Sequence, residues 1–165
     1  MLLEEFNEVD RVEAIAALRP CVDVTRWYET VADDRPYASL EALWARAADA
    51  ADPFTGAEVE AALAHHPRIG ERADGSSREA SMSRSEQAGV DPADSAIQAA
   101  LRAGNLAYEE RFGRVFLIRA AGRSADEILA SLKVRLTHTP EEEDRVVAEQ
   151  LREIALLRLK GTVTA

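Results

Sequence analysis

Cysteine occurs once in the 165 residues, at Cys21, so no internal disulfide can form and no thiolate-rich metal centre can be built. Aromatic residues make up only 5% of the chain, which leaves the core to aliphatic side chains. No apolar run approaches the length of a membrane span, and the opening "MLLEEFNEVD" carries acidic residues where a secretion signal carries basic ones. The tail "GTVTA" is not a peroxisomal address of the S-K-L type. These absences predict a soluble, cytoplasmic protein with no membrane partner. Basic residues are also short: 20 against 30 acidic ones give a formal charge of −10, which opposes a broad encounter with phosphate backbones and predicts no nucleic-acid partner. A small anionic substrate is still compatible, because a few local arginines or a helix N-terminus can outweigh a distant field that salt screens.

What is present favours helices. Alanine, leucine, glutamate and arginine dominate, all good helix formers. Start signals recur as Ser, Thr or Asn followed three residues later by an acidic side chain, or as a cap residue followed by proline. Asn7 with Asp10, Ser39, Thr55 with Glu58, Ser83 with Glu86, Asp91 with Pro92, Ser124 with Glu127, and Thr139 with Pro140 and Glu142 each mark a helix start, and "DVTRWYETV" adds a short one. Pro67 and Gly89 read as stops, and residues 70 to 82 as a loop. "VFLIRAA" is extended and apolar but too short to form a sheet unaided, so it predicts a buried connector. The expectation is an all-α chain, 1–165 as a single compact domain, with about eight helices and one extended connector.

Histidines are few, and two are adjacent in "AHHPRIGER", residues 64 to 72. A residue before proline is pushed out of the α region, so His66 should leave the helix axis while His65 stays helical. For either ring alone, a helix-end residue favoured by the macrodipole is the simpler reading. Adjacent histidines rarely face one ion, and no helical His-x-x-x-His pair exists, so no metal site is expected. His138, between threonines, reads as a solvated loop residue. "SRSEQ", residues 83 to 87, reads as a capping box; the same helix start would offer amides and a positive dipole end to an anion.

The combination says more than its parts. "HPRIGE", then "SRSEQAGV", then "NLAYEERFGRVFLIRAAGRSADEIL" closely resembles 2-oxo-4-hydroxy-4-carboxy-5-ureidoimidazoline (OHCU) decarboxylase. The likeness extends upstream to "FNEVD", Trp27 and "RPYASLEALW", and downstream to "RLTHTPEEEDRVVAEQLREIALLRL", nearly the whole chain. It implies the family's all-helical fold, usually a homodimer, and a carboxy-lyase that takes an anionic ureide to (S)-allantoin in urate breakdown without metal or organic cofactor. The family's catalytic histidine falls on His66, and its Ser-x-x-Glu-Gln on Ser83, Glu86 and Gln87. The implied site pairs His66 with Glu86 for proton handling and binds substrate through Pro67, Ser83, Arg84, Ser85, Gln87 and the connector Phe116, Leu117, Ile118, Arg119 and Ala120.

The chain departs from the family where many members read Phe-Gly-Phe-Pro-Phe and carry an arginine. Here Arg114 and Val115 replace the Phe-Pro pair, and Ala121 stands at the arginine's place. Arg119 or Arg123 could substitute, or the substrate could rest on backbone groups of the connector, which no helix consumes; the backbone reading ranks first. Two other readings stay open: a helical binding module without chemistry, and an acid–base enzyme acting on another cyclic ureide.

Overall fold

The computed structural model describes residues 1–64, 66–71, 75–91 and 93–165. Expectations that fall on His65, Arg72, Ala73, Asp74 and Pro92 lie outside these. Among the described residues there are nine helices and no strand beyond a single bridge of Leu2 with Thr164. The chain divides into two compact units, Met1–Ala62 with Leu151–Ala165, and Leu63–Gln150.

The first unit holds α1 (Leu3–Glu8), α2 (Arg11–Leu18), α3 (Thr25–Asp33), α4 (Leu40–Ala50) and nearly all of α5 (Gly56–Leu63). One helix more than expected arises at the start. Asn7 is inside α1 rather than capping a helix, and the Asp10 carboxylate takes the Glu13 amide to open α2 as a separate element. Elsewhere the cap signals hold: Ser39 accepts the Ala42 amide, and Thr55 and Glu58 exchange the two bonds of a capping box. Trp27, Phe6, Leu18, Leu43 and Leu151 are fully buried in this unit, with the Trp27 indole N–H donating to the Ala47 carbonyl at 2.9 Å.

The second unit contains α6 (Arg78–Glu86), α7 (Ser95–Phe112), α8 (Ala125–Arg135) and the start of α9 (Pro140–Thr162). α7 packs on α8, with Gly104 allowing close approach: a Cβ there would lie 2.7 Å from Leu132 Cδ2. Ile69, Leu101, Tyr108, Phe116, Ile118, Ile128 and Leu132 form its core. Asp94, not Asp91, caps α7, accepting the amides of Ala96 and Ile97. The box at Ser124 and Glu127 forms as expected, and so does the reciprocal pair of Thr139 with Glu142.

The start of α6 differs from expectation. Ser77 is its cap, accepting the Ala80 amide at 3.1 Å, so residues 78 to 82 are helical and Ser83 lies in the last turn. A search for Ser-x-x-Glu passes over Ser77 because Ala80, not an acid, stands three residues on. The connector, by contrast, is as expected: Phe116, Leu117, Ile118 and Ala120 are buried and belong to neither helix nor strand.

Candidate active site

His66 follows the end of α5. Its amide donates to the Leu63 carbonyl at 3.1 Å, closing the last turn just before Pro67 forbids another. His66 and Pro67 are half-buried. The segment beyond is then fixed at three points. The Asn105 side-chain amide donates to the Ile69 carbonyl at 2.9 Å, and the Gly70 amide donates to Gln87 Oε1 at 2.9 Å. Arg68 forks onto Glu109 of α7, with 2.9 Å between Nη2 and Oε2. That guanidinium holds the Glu109 carboxyl below the usual range, chiefly through the hydrogen bond. Gly70 has φ of +88°, and a Cβ there would meet Leu101 Cδ1 at 3.1 Å, so only glycine suits the turn.

These bonds bring the His-Pro segment to the end of α6, where Ser83 is buried and Arg84, Glu86 and Gln87 are half-buried, while Ser85 is exposed. Because Ser83 sits in the final turn, the amides and positive dipole end expected beside it are at Ser77 to Ala80 instead. Ser83 to Gln87 occupy the negative end of the helix, where a cation such as an imidazolium is favoured. Arg84 reaches back to the Gly75 carbonyl at 3.0 Å.

A cleft of about 320 Å³, at the small end of ligand pockets, is lined by Gly70, Glu71, Arg84, Gln87, Val90 and Gln98 among others. Gln87 and Arg84 are the sequence-predicted residues on its wall; His66, Glu86 and the connector are not on it. A larger hollow, about 850 Å³, lies in the first unit and contains no sequence-predicted residue. Its Asp34 and Glu58 are paired with Arg46 and Arg26.

The connector is held by side chains where a sheet would use neighbouring strands. Arg135 Nη1 donates to the Leu117 carbonyl at 2.7 Å, the Arg119 amide donates to Gln150 Oε1 at 3.0 Å, and Arg123 Nε donates to the Arg119 carbonyl at 3.0 Å. Arg119 spends Nη1 on the Ala121 carbonyl, so both arginines that could replace the family's missing one are engaged locally. Arg114 pairs with Asp144 at 2.7 Å.

Beside the connector lies a polar cluster that sequence reading missed. Glu143 is fully buried; its Oε1 accepts from Tyr108 Oη at 2.5 Å and from Arg135 Nε and Nη2 at 2.8 and 2.5 Å. His138 Nδ1 lies 2.9 Å from Oε2, which corrects the expectation of a solvated loop residue. Burial, followed by the hydrogen bond to Glu143, pushes the Tyr108 hydroxyl up to about 12. The signal was in the phase of α9: Glu143 falls on the same face as Val147, Gln150, Leu151 and Ile154, all buried. Asn105 falls likewise on the buried face of α7 with Leu101 and Tyr108. Among the described residues no three His, Cys, Asp or Glu side chains gather in a metal-ligating group.

The OHCU decarboxylase family model matches residues 7–160. A 2-oxo-4-hydroxy-4-carboxy-5-ureidoimidazoline decarboxylase of Amia calva is 29% identical over 167 residues, covering 97% of this chain and 89% of that one. The decarboxylase of the same name from Haloferax volcanii is 25% identical over 160 residues, 96% and 94% of the two chains. A uric acid degradation bifunctional protein of Bacillus sp. (strain TB-90) is 25% identical over 161 residues, 97% of this chain but only 32% of its own, so this chain spans about a third of that relative. In three dimensions the fold is similar to that of an OHCU decarboxylase crystallised in the presence of (S)-allantoin, with a TM-score of 0.70 and 24% identity over 87% of this chain and 94% of that one.

Proposed function

This chain belongs to the OHCU decarboxylase family, and on that premise we propose that it converts 2-oxo-4-hydroxy-4-carboxy-5-ureidoimidazoline to (S)-allantoin and carbon dioxide, using its own side chains and no cofactor. The observation that carries the reading is the Gly70–Gln87 hydrogen bond, which ties the segment after His66 to the end of the helix bearing Glu86. Two stretches 17 residues apart in sequence thereby share one neighbourhood.

The substrate carries its carboxylate and hydroxyl on one ring carbon, next to the carbon bearing the ureido group. Breaking the bond to the carboxylate leaves an electron pair that must be delocalised into the ring and then protonated on one face. His66 is assigned as the proton carrier, since an imidazole can both give and take a proton. Glu86, at the end of α6, is the residue assigned to orient that ring. Gln87, its Oε1 committed to Gly70, keeps its amide N–H groups for the ureide; Ser83, Arg84, Ser85 and Pro67 complete the wall on this side.

In this proposal the connector is the second wall of the site. In an extended chain residues two apart point their backbone groups the same way. Leu117 and Arg119 are both engaged, and the Ala120 carbonyl takes the Arg123 amide, which leaves Phe116, Ile118 and the Ala120 amide on the opposite edge to face the ring amides. A homodimer and a cytoplasmic location belong to the same proposal, the latter in keeping with a single cysteine in the sequence. No described helix is long and apolar enough to cross a membrane.

The test is His66→Gln. Turnover should fall by at least about a thousandfold, as expected when an acid–base group is lost with its orientation. Far-ultraviolet circular dichroism should stay unchanged. A folded variant that keeps near-normal turnover removes His66 from the chemistry.

A further inference from the structure

Among the described residues the connector has no strand neighbour, yet a substrate-binding edge must be held in place. We propose that Arg135 and Gln150 are positioning residues of the substrate site: they grip the connector at Leu117 and Arg119 and so fix the edge that binds the ureide. The inference rests on the decarboxylase reading above, because it needs the connector to be a binding wall.

The geometry is specific to a grip. Arg135 is 3% exposed and divides its guanidinium between two tasks, with Nε and Nη2 on Glu143 and Nη1 on the Leu117 carbonyl. Its plane also lies over the Phe116 ring, 4.5 Å from the centroid, so it touches two successive connector residues. Glu143, with the Tyr108 hydroxyl on the same oxygen, supplies the opposite charge without which a buried guanidinium would be costly. Gln150, about two helical turns further along α9 than Glu143, takes the Arg119 amide. Two residues of the connector, two apart, are thus held from α8 and α9. A lysine could neutralise Glu143, but its single ammonium has no fork to reach the Leu117 carbonyl at the same time.

Three variants separate gripping from mere stability. Arg135→Lys and Gln150→Leu each loosen the connector; Tyr108→Phe disturbs the same buried cluster but leaves both grips in place. A binding edge used equally by substrate and transition state shows in KM, whereas a loss of folded molecules shows in apparent kcat with KM unchanged. Arg135→Lys should therefore raise KM by about tenfold, the worth of one hydrogen bond from a charged group, with kcat within about threefold of wild type. Gln150→Leu should raise KM by about threefold to tenfold, and Tyr108→Phe should lower thermal stability with KM unchanged. If Arg135→Lys fails to fold, Gln150→Leu decides. Unchanged KM in the folded grip variants, or an equal rise in Tyr108→Phe, overturns the proposal. Wild-type protein without decarboxylase activity would condemn the functional reading instead. The grip is then judged by hydrogen exchange at the Arg119 amide in Gln150→Leu: faster exchange keeps it, and unchanged exchange sinks it.

Discussion

In the proposed site Gln87 has two jobs at opposite ends of one amide group. Its oxygen accepts the Gly70 amide, and its nitrogen is the part available to a ligand. The two can be separated. Gln87→Glu keeps an acceptor for Gly70 but removes the donors, so stability should change by less than about 0.5 kcal/mol while turnover falls more than about tenfold. Gln87→Leu removes both and should cost a further ~1 kcal/mol in denaturant titration. If the two variants are equally active, Gln87 does not touch the substrate. At this scale the sequence singles out candidate residues but is a poor guide to their surroundings. His66 and Gln87 announce themselves by motif. Ser83 was misassigned to a helix start because a local pattern cannot tell a capping box from the same letters in a last turn. His138 looked solvated because its partner Glu143 is recognisable only by the phase of a helix that begins after it.

Elements were legible wherever a cap and a hydrophobic period agreed, as in the helices behind Ser39, Thr55, Ser124 and Thr139. They were misread where a cap without an acid three residues on or a following proline won, at Ser77 and Asp94. Gly89 shows the difference between a sequence role and a structural one. It reads as a helix stop, yet a Cβ on it would meet the Arg123 carbonyl oxygen at 2.4 Å, a backbone atom that cannot swing aside. The loop after α6 and the turn before α8 touch through this missing side chain. Gly89→Ala should therefore lower stability by about 1–3 kcal/mol, the usual cost of forcing atoms into a packed site. Gly161 is the control: it is helical and exposed, and a Cβ there meets nothing. Gly161→Ala should stabilise by roughly 0.5–1 kcal/mol through helix propensity. Thermal melts of the pair should move in opposite directions; a Gly89→Ala protein as stable as wild type would deny the contact.

For the molecule as a whole, the all-helical class was set by composition and period, whereas its division into two compact units left no trace in the form of a linker. Its charge makes a prediction about acid. Hydrogen bonds from Arg11, Arg26 and Arg68 hold Asp33, Glu58 and Glu109 below their ordinary values, and backbone amides at helix starts do the same for Glu41 and Glu142. A carboxylate with a depressed folded pKa contributes stability above its unfolded value, 4.5 for glutamate, and loses it as pH falls through the folded value. The melting temperature should thus be flat near neutral pH and drop below about pH 4.5, most steeply at low salt. A melt unchanged down to about pH 3 would mean that these pairs add nothing. The catalytic claim has a more direct test. OHCU generated fresh from urate decays unaided to racemic allantoin, so added protein should speed its disappearance and leave a product with the circular dichroism of (S)-allantoin. A racemic product formed no faster than in buffer would contradict the assignment.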